Sequence, residues 1–410
     1  MFGNRVYWGL AMAVTRFAAR LAGRAVAEVV AAAVAVAFRW FRWLTRYRPT
    51  SAPCPPRLAF RGEESRALVE ACPSLMRGYD ADAPRWLARC PALQTMLAGT
   101  AARREVMYSE RVRVGDGALD VASCGREPLA AAVIFPPTAS DSGSPHVLMV
   151  ARALLDARVD VFVANRRGHG GLPLPPEGPA GFPVFGEAEE TAALLVRAAA
   201  ERCLCHTGAG GESLPLALVG LSAGTAEPLR ALAGLDPATR VVAVAMVSSP
   251  YDVSAVTAAG GPRLESHLCA SLERLCGASS ADRTLAGLAD SCGLPRDCPT
   301  RRAEILSDLA DPPSLAVARC PTLLLAAADD PLIPAVVSER AHALATAGRH
   351  PRLVSALTVG GGHLGWLGRD ERGRWTSWGA RAAAEFVVAA ASTVKAPAER
   401  GAMPDRRPRP

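Results

Sequence analysis

The stretch of residues 214–226, Leu-Pro-Leu-Ala-Leu-Val-Gly-Leu-Ser-Ala-Gly-Thr-Ala, constrains the fold of this chain more than any other. An apolar run stops at Gly220, a Gly-x-Ser-x-Gly pattern surrounds Ser222, and a helical Ala- and Leu-rich run follows. A buried strand, a sharp turn and a helix are what a nucleophile elbow needs. The turn strains the serine backbone, so its neighbours must lack bulk. Small residues are common in an Ala-rich chain, however, and an ordinary strand-to-helix turn would show the same pattern.

Strand-like and helical patterns alternate from residue 129 onward. The predicted strands are residues 129–135, 160–164, 214–219, 240–247, 321–327 and 352–359, and the predicted helices are residues 146–157, 186–203, 334–347, 379–391 and the run after Ser222. Before them, alternating residues on both sides of Gly115-Asp116-Gly117 predict a hairpin. Apolar strands separated by helices are typical of a mostly parallel sheet with helices on both faces. Ligands of such sheets bind at the carboxyl ends of the strands.

The domain boundaries follow changes in composition. We predict an N-terminal membrane anchor or targeting segment at residues 1–48 and a Pro-rich linker with leading helices (63–72 and 84–97) at residues 49–103. An α/β domain follows at residues 104–394, with a helical lid inserted at about residues 250–319. Residues 395–410 are predicted to be a disordered Pro- and Arg-rich tail.

Charge is distributed unevenly along the 410 residues. Residues 1–50 contain eight arginines and a single acidic residue, Glu28, a net charge of +7. Residues 395–410 add +3, and because the total is also +7, the body between them carries −3. A near-neutral body argues against a nucleic-acid partner, whereas the basic ends favour a membrane or targeting role.

The apolar part of the N-terminal segment is too interrupted to be a simple membrane span. Its charge-free runs, residues 6–15 and 29–38, are shorter than the ~20 residues that a spanning helix requires. A span is possible only with Glu28 and Arg39 at the two interfaces. The alternatives are an amphipathic interfacial helix, a soluble helix, and a cleaved organellar presequence, which the absence of serine disfavours. We expect a membrane-associated protein with one N-terminal anchor, in an organelle that the sequence does not identify.

The chain supplies the two groups that would activate a seryl nucleophile. A serine hydroxyl needs an adjacent base, and the base needs an orienting acid. In the order Ser, acid, His, these groups follow strand ends: Asp330 comes after one predicted strand, and His363 after the next, in Gly-Gly-Gly-His-Leu-Gly. Asp329 and Asp252 are the competing acids, and the Asp-x-φ-φ-Pro pattern, where φ is apolar, favours Asp330. The sequence therefore predicts a catalytic Ser222, Asp330 and His363.

Several motifs together resemble one family. They are Gln94-Thr95, Asn165-x-Arg167-Gly168, Gly220-x-Ser222-x-Gly224, Asp329-Asp330-Pro331 and Gly361-Gly362-His363-Leu364-Gly365. In this order they resemble the membrane-anchored α/β-hydrolase esterase/lipase family with a Gly-Gly-His-x-Gly histidine motif, in its medium-chain phospholipase and acyltransferase-like branch. The resemblance covers about residues 60–393 and implies an α/β-hydrolase fold, lipid-like ester substrates and a membrane segment.

The chain departs from that family around the oxyanion hole. The usual Pro-Gly-Leu-Thr-Gly loop is Pro136-Pro137-Thr138-Ala139-Ser140 here, and Thr225 and Ala226 replace a Gly and an Asn after the elbow. Proline has no N–H, so Pro137 cannot donate. We therefore predict the amides of Thr138 and Ala223 as oxyanion donors, and a scaffold role for Asn165 and Arg167.

The resulting hypothesis is a serine hydrolase that cleaves carboxylic esters of lipid-like substrates through an acyl-enzyme. An acyltransferase with the same triad, and a catalytically silent membrane interaction protein of this fold, are the alternatives. We expect no cofactor and no metal: Gly208–Gly211 lacks the lysine of a phosphate-binding loop, and none of the eleven cysteines belongs to a Cys-x-x-Cys pair. Their odd number and spacing favour reduced, buried thiols.

Overall fold

A computed structural model of the chain describes residues 55–79, 90–99, 106–173, 189–205, 214–236, 239–250, 256, 315, 318–347, 350–369 and 374–395. The chain divides into two compact units, Met1–Thr50 and Ser51–Pro410, and all described residues belong to the second. The predicted N-terminal segment, almost all of the lid at 250–319 and the tail at 396–410 lie outside the described residues.

The described residues form strands that alternate with helices. The strands are β1 (Arg57–Phe60), β2 (Glu110–Val114), β3 (Gly117–Ala122), β4 (Ala130–Phe135), β5 (Val159–Asn165), β6 (Leu216–Leu221), β7 (Val241–Val247), β8 (Thr322–Ala327), β9 (Leu353–Thr358), β10 (Leu367–Arg369) and β11 (Trp375–Ser377). The helices are α1 (Gly62–Glu70), α2 (Pro73–Arg77), α3 (Pro91–Ala98), α4 (Pro145–Asp156), α5 (Glu189–Cys205), α6 (Ala226–Gly234), α7 (Ala335–Ala347) and α8 (Trp378–Lys395). The predicted alternation from residue 129 is confirmed, with element ends shifted by only a few residues.

The large sheet has the strand order β1-β9-β8-β7-β6-β4-β5-β3-β2. Strands β5, β4, β6, β7, β8 and β9 run parallel to one another, and antiparallel β1 and β2–β3 lie at the two edges. From β4 onward the chain forms the parallel strands, and the described crossings between them run through helices, which is the arrangement of an α/β-hydrolase fold. The predicted fold class is confirmed.

Each face of the sheet is covered by its own apolar cluster. On one face, residues such as Ile134, Val219 and Ala245 pack with Leu154 of α4 and Phe386 of α8. The other face buries a second cluster that includes side chains of α5 and α6. Strands buried on both sides explain why their sequences are continuous apolar runs rather than alternating ones.

Two pairings at the ends of the fold were not predicted. Strand β1 lies in the segment predicted as linker and leading helices, and Arg57 pairs with Leu357 three hundred residues later. Strands β10 and β11 form a small hairpin directly after the histidine loop. These strands have three or four residues each, and their partners rather than their own sequence define them. Of the predicted helix at 84–97, the structure describes α3 and not residues 81–89.

Five cysteines, Cys72, Cys90, Cys124, Cys203 and Cys320, are free thiols. Burial raises the pKa of Cys72 and of Cys203 to about 12 in both cases, with smaller contributions from Glu385 and Asp160 respectively. These two thiols are therefore protonated at neutral pH and pack as small apolar side chains.

Among the described helices, none combines the length and the hydrophobicity that crossing a bilayer requires.

Candidate active site

Ser222 stands on a strained turn between β6 and α6. Its φ of +52° lies in the left-handed region, and a short 3₁₀ turn, Ser222–Thr225, leads into the helix. A Cβ on Gly220 would lie 2.5 Å from the Cα of Thr225, so the chain can fold back on itself only because this residue has no side chain. The turn has the backbone of a nucleophile elbow, and it presents the seryl hydroxyl at the carboxyl edge of the sheet.

The elbow packs directly against the loop that follows the neighbouring strand. Strands β4 and β6 are paired so that Phe135 lies opposite Gly220, and both chains leave the sheet at the same edge. A Cβ on Gly224 would collide with the carbonyl oxygens of Phe135 and Pro136. Because the loop that carries Thr138 comes this close, position 224 has to be a glycine.

The structure brings Ser222, His363 and Asp330 into one hydrogen-bonded chain. The Nε2 atom of His363 lies 2.8 Å from Ser222 Oγ, and its Nδ1 atom lies 2.8 Å from Asp330 Oδ2. An ionised carboxylate only accepts hydrogen bonds, so Nδ1 carries the proton and Nε2 of the neutral ring is left to accept the seryl proton. His363 and Asp330 are buried, whereas Ser222 is partly exposed.

Of the competing acids, Asp330 is the one in contact with the histidine. Its second oxygen, Oδ1, accepts hydrogen bonds from the amides of Leu332 and Ile333, which hold the carboxylate in place. Asp329 instead accepts a hydrogen bond from the Gly362 amide at 2.9 Å and so supports the histidine loop. Burial raises the pKa of Asp329 to about 7, and the charge of Asp330 adds to that increase while the Gly362 hydrogen bond opposes it. Asp252 lies outside the described residues.

The histidine loop is held by residues far away in sequence. The His363 amide donates to Thr95 Oγ1 at 2.9 Å, and the Leu367 amide donates to Gln94 Oε1 at 3.0 Å. The Leu364 amide donates to Ser248 Oγ at the end of β7. Helix α3 and strand β7 therefore both fix the position of the imidazole. Gln94 and Thr95 therefore both support the histidine loop.

The glycines before the histidine have a packing role. A Cβ on Gly361 would overlap the indole of Trp366, and a Cβ on Gly362 would lie 2.5 Å from the Pro91 carbonyl oxygen. Both residues also have positive φ angles. The space beside these two glycines is occupied by Trp366 and by the start of α3.

Thr138 and Ala223 lie in the two segments that meet at the elbow. Thr138 is the third residue after β4, and Ala223 is in the first turn after Ser222, where helical N–H groups have no acceptor within the helix. In the described part of the chain, the Thr138 amide has no acceptor. A backbone amide without a partner can bind a developing oxyanion. The donor role itself remains a prediction.

Asn165 has a scaffold position, at the end of β5. Its Oδ1 accepts from the Ser142 amide and its Nδ2 donates to Asp120 Oδ2, both at 2.9 Å. Arg111 and Ser142 also donate to Asp120. Burial favours the protonated carboxyl of Asp120, but these hydrogen bonds outweigh it and hold its pKa below the ordinary value. This network anchors the far end of the loop that begins at Pro136.

Arg166, at the unspecified position of the Asn-x-Arg-Gly motif, ties two loops together. Arg166 is 1% exposed, lies beside Glu227, and donates to the carbonyl oxygens of Pro136 and Pro137. Arg167 is only partly buried. The local sequence does not reveal this role of Arg166, because its partners are contributed by α6 and by the loop after β4.

His146 is a site neighbour that the sequence analysis did not identify. Its Nε2 atom lies 3.2 Å from Ser140 Oγ, and Ser140 Oγ donates to the carbonyl oxygen of Thr138. Burial, with a smaller contribution from nearby His363, lowers the pKa of His146 to about 4. A neutral imidazole therefore supports the Thr138 loop near the catalytic histidine. The only sequence feature that could have indicated this role is the position of His146 in the first turn of α4.

Thr225 stands where the family that the sequence resembles has a glycine after the elbow. Its hydroxyl donates to the Ser222 carbonyl oxygen at 2.7 Å and lies 2.8 Å from Ser249 Oγ. The hydroxyl closes the elbow turn and links it to the residues after β7, so this departure is compatible with a formed elbow.

Within the described ranges, no three His, Cys, Asp or Glu side chains are grouped so as to hold a metal ion.

Comparisons with known proteins add distant similarities of shape. No family model and no curated protein matches the chain. An esterase from Pyrococcus furiosus is similar at 14% identity over 63% of this chain and 84% of that one, with a TM-score of 0.40. A Thermus thermophilus protein is similar at 18% identity over 70% and 98%, with a TM-score of 0.42.

An α/β-hydrolase fold protein from Nakamurella multipartita is similar at 19% identity, over 68% of this chain and 99% of that one, with a TM-score of 0.39. At these identities and scores the similarities carry no argument about activity. The assignment to the α/β-hydrolase fold rests on the strand order of this chain and on its elbow.

Proposed function

We propose that the protein is a serine hydrolase that cleaves carboxylic esters through an acyl-enzyme. The observation that carries the proposal is the chain from Ser222 Oγ through His363 to Asp330, with 2.8 Å at each step. A silent protein of this fold would have no reason to keep three polar side chains aligned behind a strained serine. The geometry supports a catalytic reading over that alternative.

The proposed reaction has two halves. Ser222 Oγ attacks the ester carbonyl carbon while His363 Nε2 takes its proton, and Asp330 stabilises the imidazolium. The amides of Thr138 and Ala223 hold the oxyanion. The tetrahedral intermediate collapses, the C–O bond to the alcohol breaks, and the departing oxygen takes the proton from His363. Water then attacks the acyl-serine with His363 as the base, which releases the acid and restores the enzyme.

The substrate proposal is a lipid-like ester. It is supported by the motif resemblance and by the basic, apolar first fifty residues, which favour contact with a bilayer. Membrane association through this segment is part of the proposal, in either the spanning or the interfacial form.

Labelling of the full chain with a fluorophosphonate probe tests the proposal. The expected result is covalent modification at Ser222, which peptide mass spectrometry can locate. A protein that neither reacts with the probe nor hydrolyses p-nitrophenyl esters would contradict it. Adding an alcohol to the ester assay separates hydrolysis from acyl transfer: free acid as the main product supports the hydrolase, and a new ester supports the transferase.

A further inference from the structure

We infer that Arg166 and Glu227 form a positioning pair for the oxyanion hole, which sets the Thr138 amide and the elbow in register with each other. This inference rests on the proposed ester hydrolysis and adds a function to a pair of charges that the triad does not use. Arg166 is the unspecified position of the Asn-x-Arg-Gly motif, Glu227 belongs to no motif named above, and the proposed reaction assigns neither residue a chemical step.

The pair is fully enclosed. Arg166 and Glu227 are 1% and 0% exposed, and Arg166 Nε lies 3.3 Å from Glu227 Oε2. A buried charge is costly in free energy unless a partner compensates it, and a packed apolar pair often serves stability equally well. Stability alone therefore does not explain why a charged pair, and not an apolar one, occupies this buried place. The ion pair holds the guanidinium group beside α6, where it donates to the carbonyl oxygens of Pro136 and Pro137.

The guanidinium group determines the orientation of the peptide bond before Thr138. Arg166 Nη2 donates to the Pro137 carbonyl oxygen at 3.0 Å and also to the Pro136 carbonyl oxygen. The Ser140 amide donates to the same Pro137 oxygen at 3.3 Å. In a planar trans peptide the C=O and N–H bonds point in opposite directions. Because the Pro137 carbonyl is held toward Arg166, the Thr138 N–H is directed away from it.

Glu227 connects this loop to the nucleophile. It lies in the first turn of α6, the helix that follows the elbow and the Ala223 amide. The elbow itself leaves no gap, since Gly224 abuts the Phe135 and Pro136 carbonyls. A shift of α6 would therefore move Glu227, Arg166 and the Pro137 carbonyl together. The pair couples the two oxyanion donors mechanically.

The double variant Arg166→Met/Glu227→Leu tests the pair without leaving an unpaired charge. Apolar side chains of similar size fill the space, so the fold should be kept. Losing the alignment of one oxyanion donor lowers kcat by about 10²–10³-fold. We expect this loss in kcat with a nearly unchanged KM. The same exchange at the exposed pair Arg352 and Glu64, 3.1 Å apart on the far side of β9, should leave kcat unchanged.

A trifluoromethyl ketone separates positioning from a merely structural role. Its adduct with Ser222 carries an oxyanion, so its affinity should fall in parallel with kcat in the double variant, while the ground-state KM does not. Arg166→Lys keeps the charge but loses the planar fork, and we expect it to fail to restore kcat. A double variant with wild-type kcat and wild-type inhibitor affinity, or full rescue by lysine, would overturn the inference.

Hydrogen exchange provides a readout that does not need activity. In the double variant, amides of the loop at 136–144 should exchange about tenfold faster, with the segment of the Arg352/Glu64 control pair unchanged. Unchanged exchange in that loop would overturn the inference even if the enzyme proved inactive. A wild-type protein without probe labelling or esterase activity would instead contradict the proposed function, and the exchange result would still decide the role of the pair.

Discussion

The Nε2 atom of His363 lies 2.8 Å from the Oγ atom of Ser222, although 141 positions separate the two residues in the chain. The contact joins the loop after β9 to the turn after β6, two strands that are separated in the sheet by β7 and β8. Parallel strands direct both loops to the same edge, where the histidine loop reaches back over β7 and β8 to the serine.

Replacing Ser222 by alanine should abolish fluorophosphonate labelling and ester hydrolysis and leave the fold intact, because only one hydroxyl at a strand end is lost. Mass spectrometry of the labelled protein and thermal unfolding measure the two effects. Ser109→Ala, at an exposed edge position whose hydroxyl donates to Val121, is the matched control. Labelling of the Ser222 variant at the wild-type rate would place the nucleophile elsewhere.

The two adjacent aspartates should differ strongly in their effect on turnover. Asp330→Asn removes the carboxylate that orients His363 Nδ1, and we expect kcat to fall by about 10⁴-fold, as for a triad acid. Asp329→Asn keeps an oxygen that can accept from the Gly362 amide, so its kcat should stay close to that of the wild type. Matched kinetics with the reverse order would show that Asp329 is the orienting acid.

Asp329 should also make stability depend on pH. Burial raises its pKa to about 7 in the folded protein, against 3.8 for the ordinary carboxyl group. Between these values the folded state holds a proton that the unfolded chain has released, so the free energy of unfolding falls as pH rises from about 4 to about 7. Above pH 7 this loss is complete.

The Asp329→Asn variant lacks that titration. The difference in free energy of unfolding between Asp329→Asn and the wild type should therefore shift in favour of the variant by on the order of 1–4 kcal/mol from pH 4 to pH 8. Urea unfolding at several pH values measures the difference, with the exposed Asp116→Asn as the control. Parallel stability curves for Asp329→Asn and the wild type would contradict the expected titration.

Gly224→Ala should disrupt the contact between the elbow and the Thr138 loop. The new methyl group would collide with the carbonyl oxygens of Phe135 and Pro136, which are backbone atoms and cannot rotate away. We expect a loss of at least ~2 kcal/mol in unfolding free energy together with a loss of esterase activity. Gly99→Ala, whose nearest neighbour is the Met96 carbonyl oxygen at 3.4 Å, should change stability by less than ~0.5 kcal/mol.

Deleting residues 1–48 tests the proposed membrane attachment. The basic charge of the chain lies in its two ends, and the body between them carries −3, so it has no electrostatic reason to bind anionic lipid. The truncated protein should move from the membrane pellet to the supernatant, keep its turnover of short soluble esters, and lose turnover of long-chain lipids.

Two other results of that deletion are informative. A truncated protein that stays in the pellet after a carbonate wash would place the anchor elsewhere, with residues 250–319 the next segment to delete. A natural mature protein that begins near residue 50 would favour the presequence interpretation.

The residues that the sequence identified are those whose chemistry depends on their immediate neighbours. Gly-x-Ser-x-Gly after an apolar run indicated the turn at Ser222, because only residues without bulk permit that backbone. Asp330 and His363 were indicated because each follows a strand, and the fold class followed from apolar runs alternating with helices. The signals for the three side chains are local, and each is visible within ten or so residues of the sequence, whereas the fold class needed the alternation along the whole domain.

The tertiary structure decided the contacts that depend on packing between distant segments. It enclosed Arg166 between Glu227 and the Pro136 and Pro137 carbonyls, a setting that the motif around Asn165 does not indicate. It placed Asp330, and not Asp329, against the imidazole, and it brought Gln94 and Thr95 under the histidine loop. Adjacent residues differ in which way the backbone directs them and in which segments pack there, and a single sequence does not record that direction.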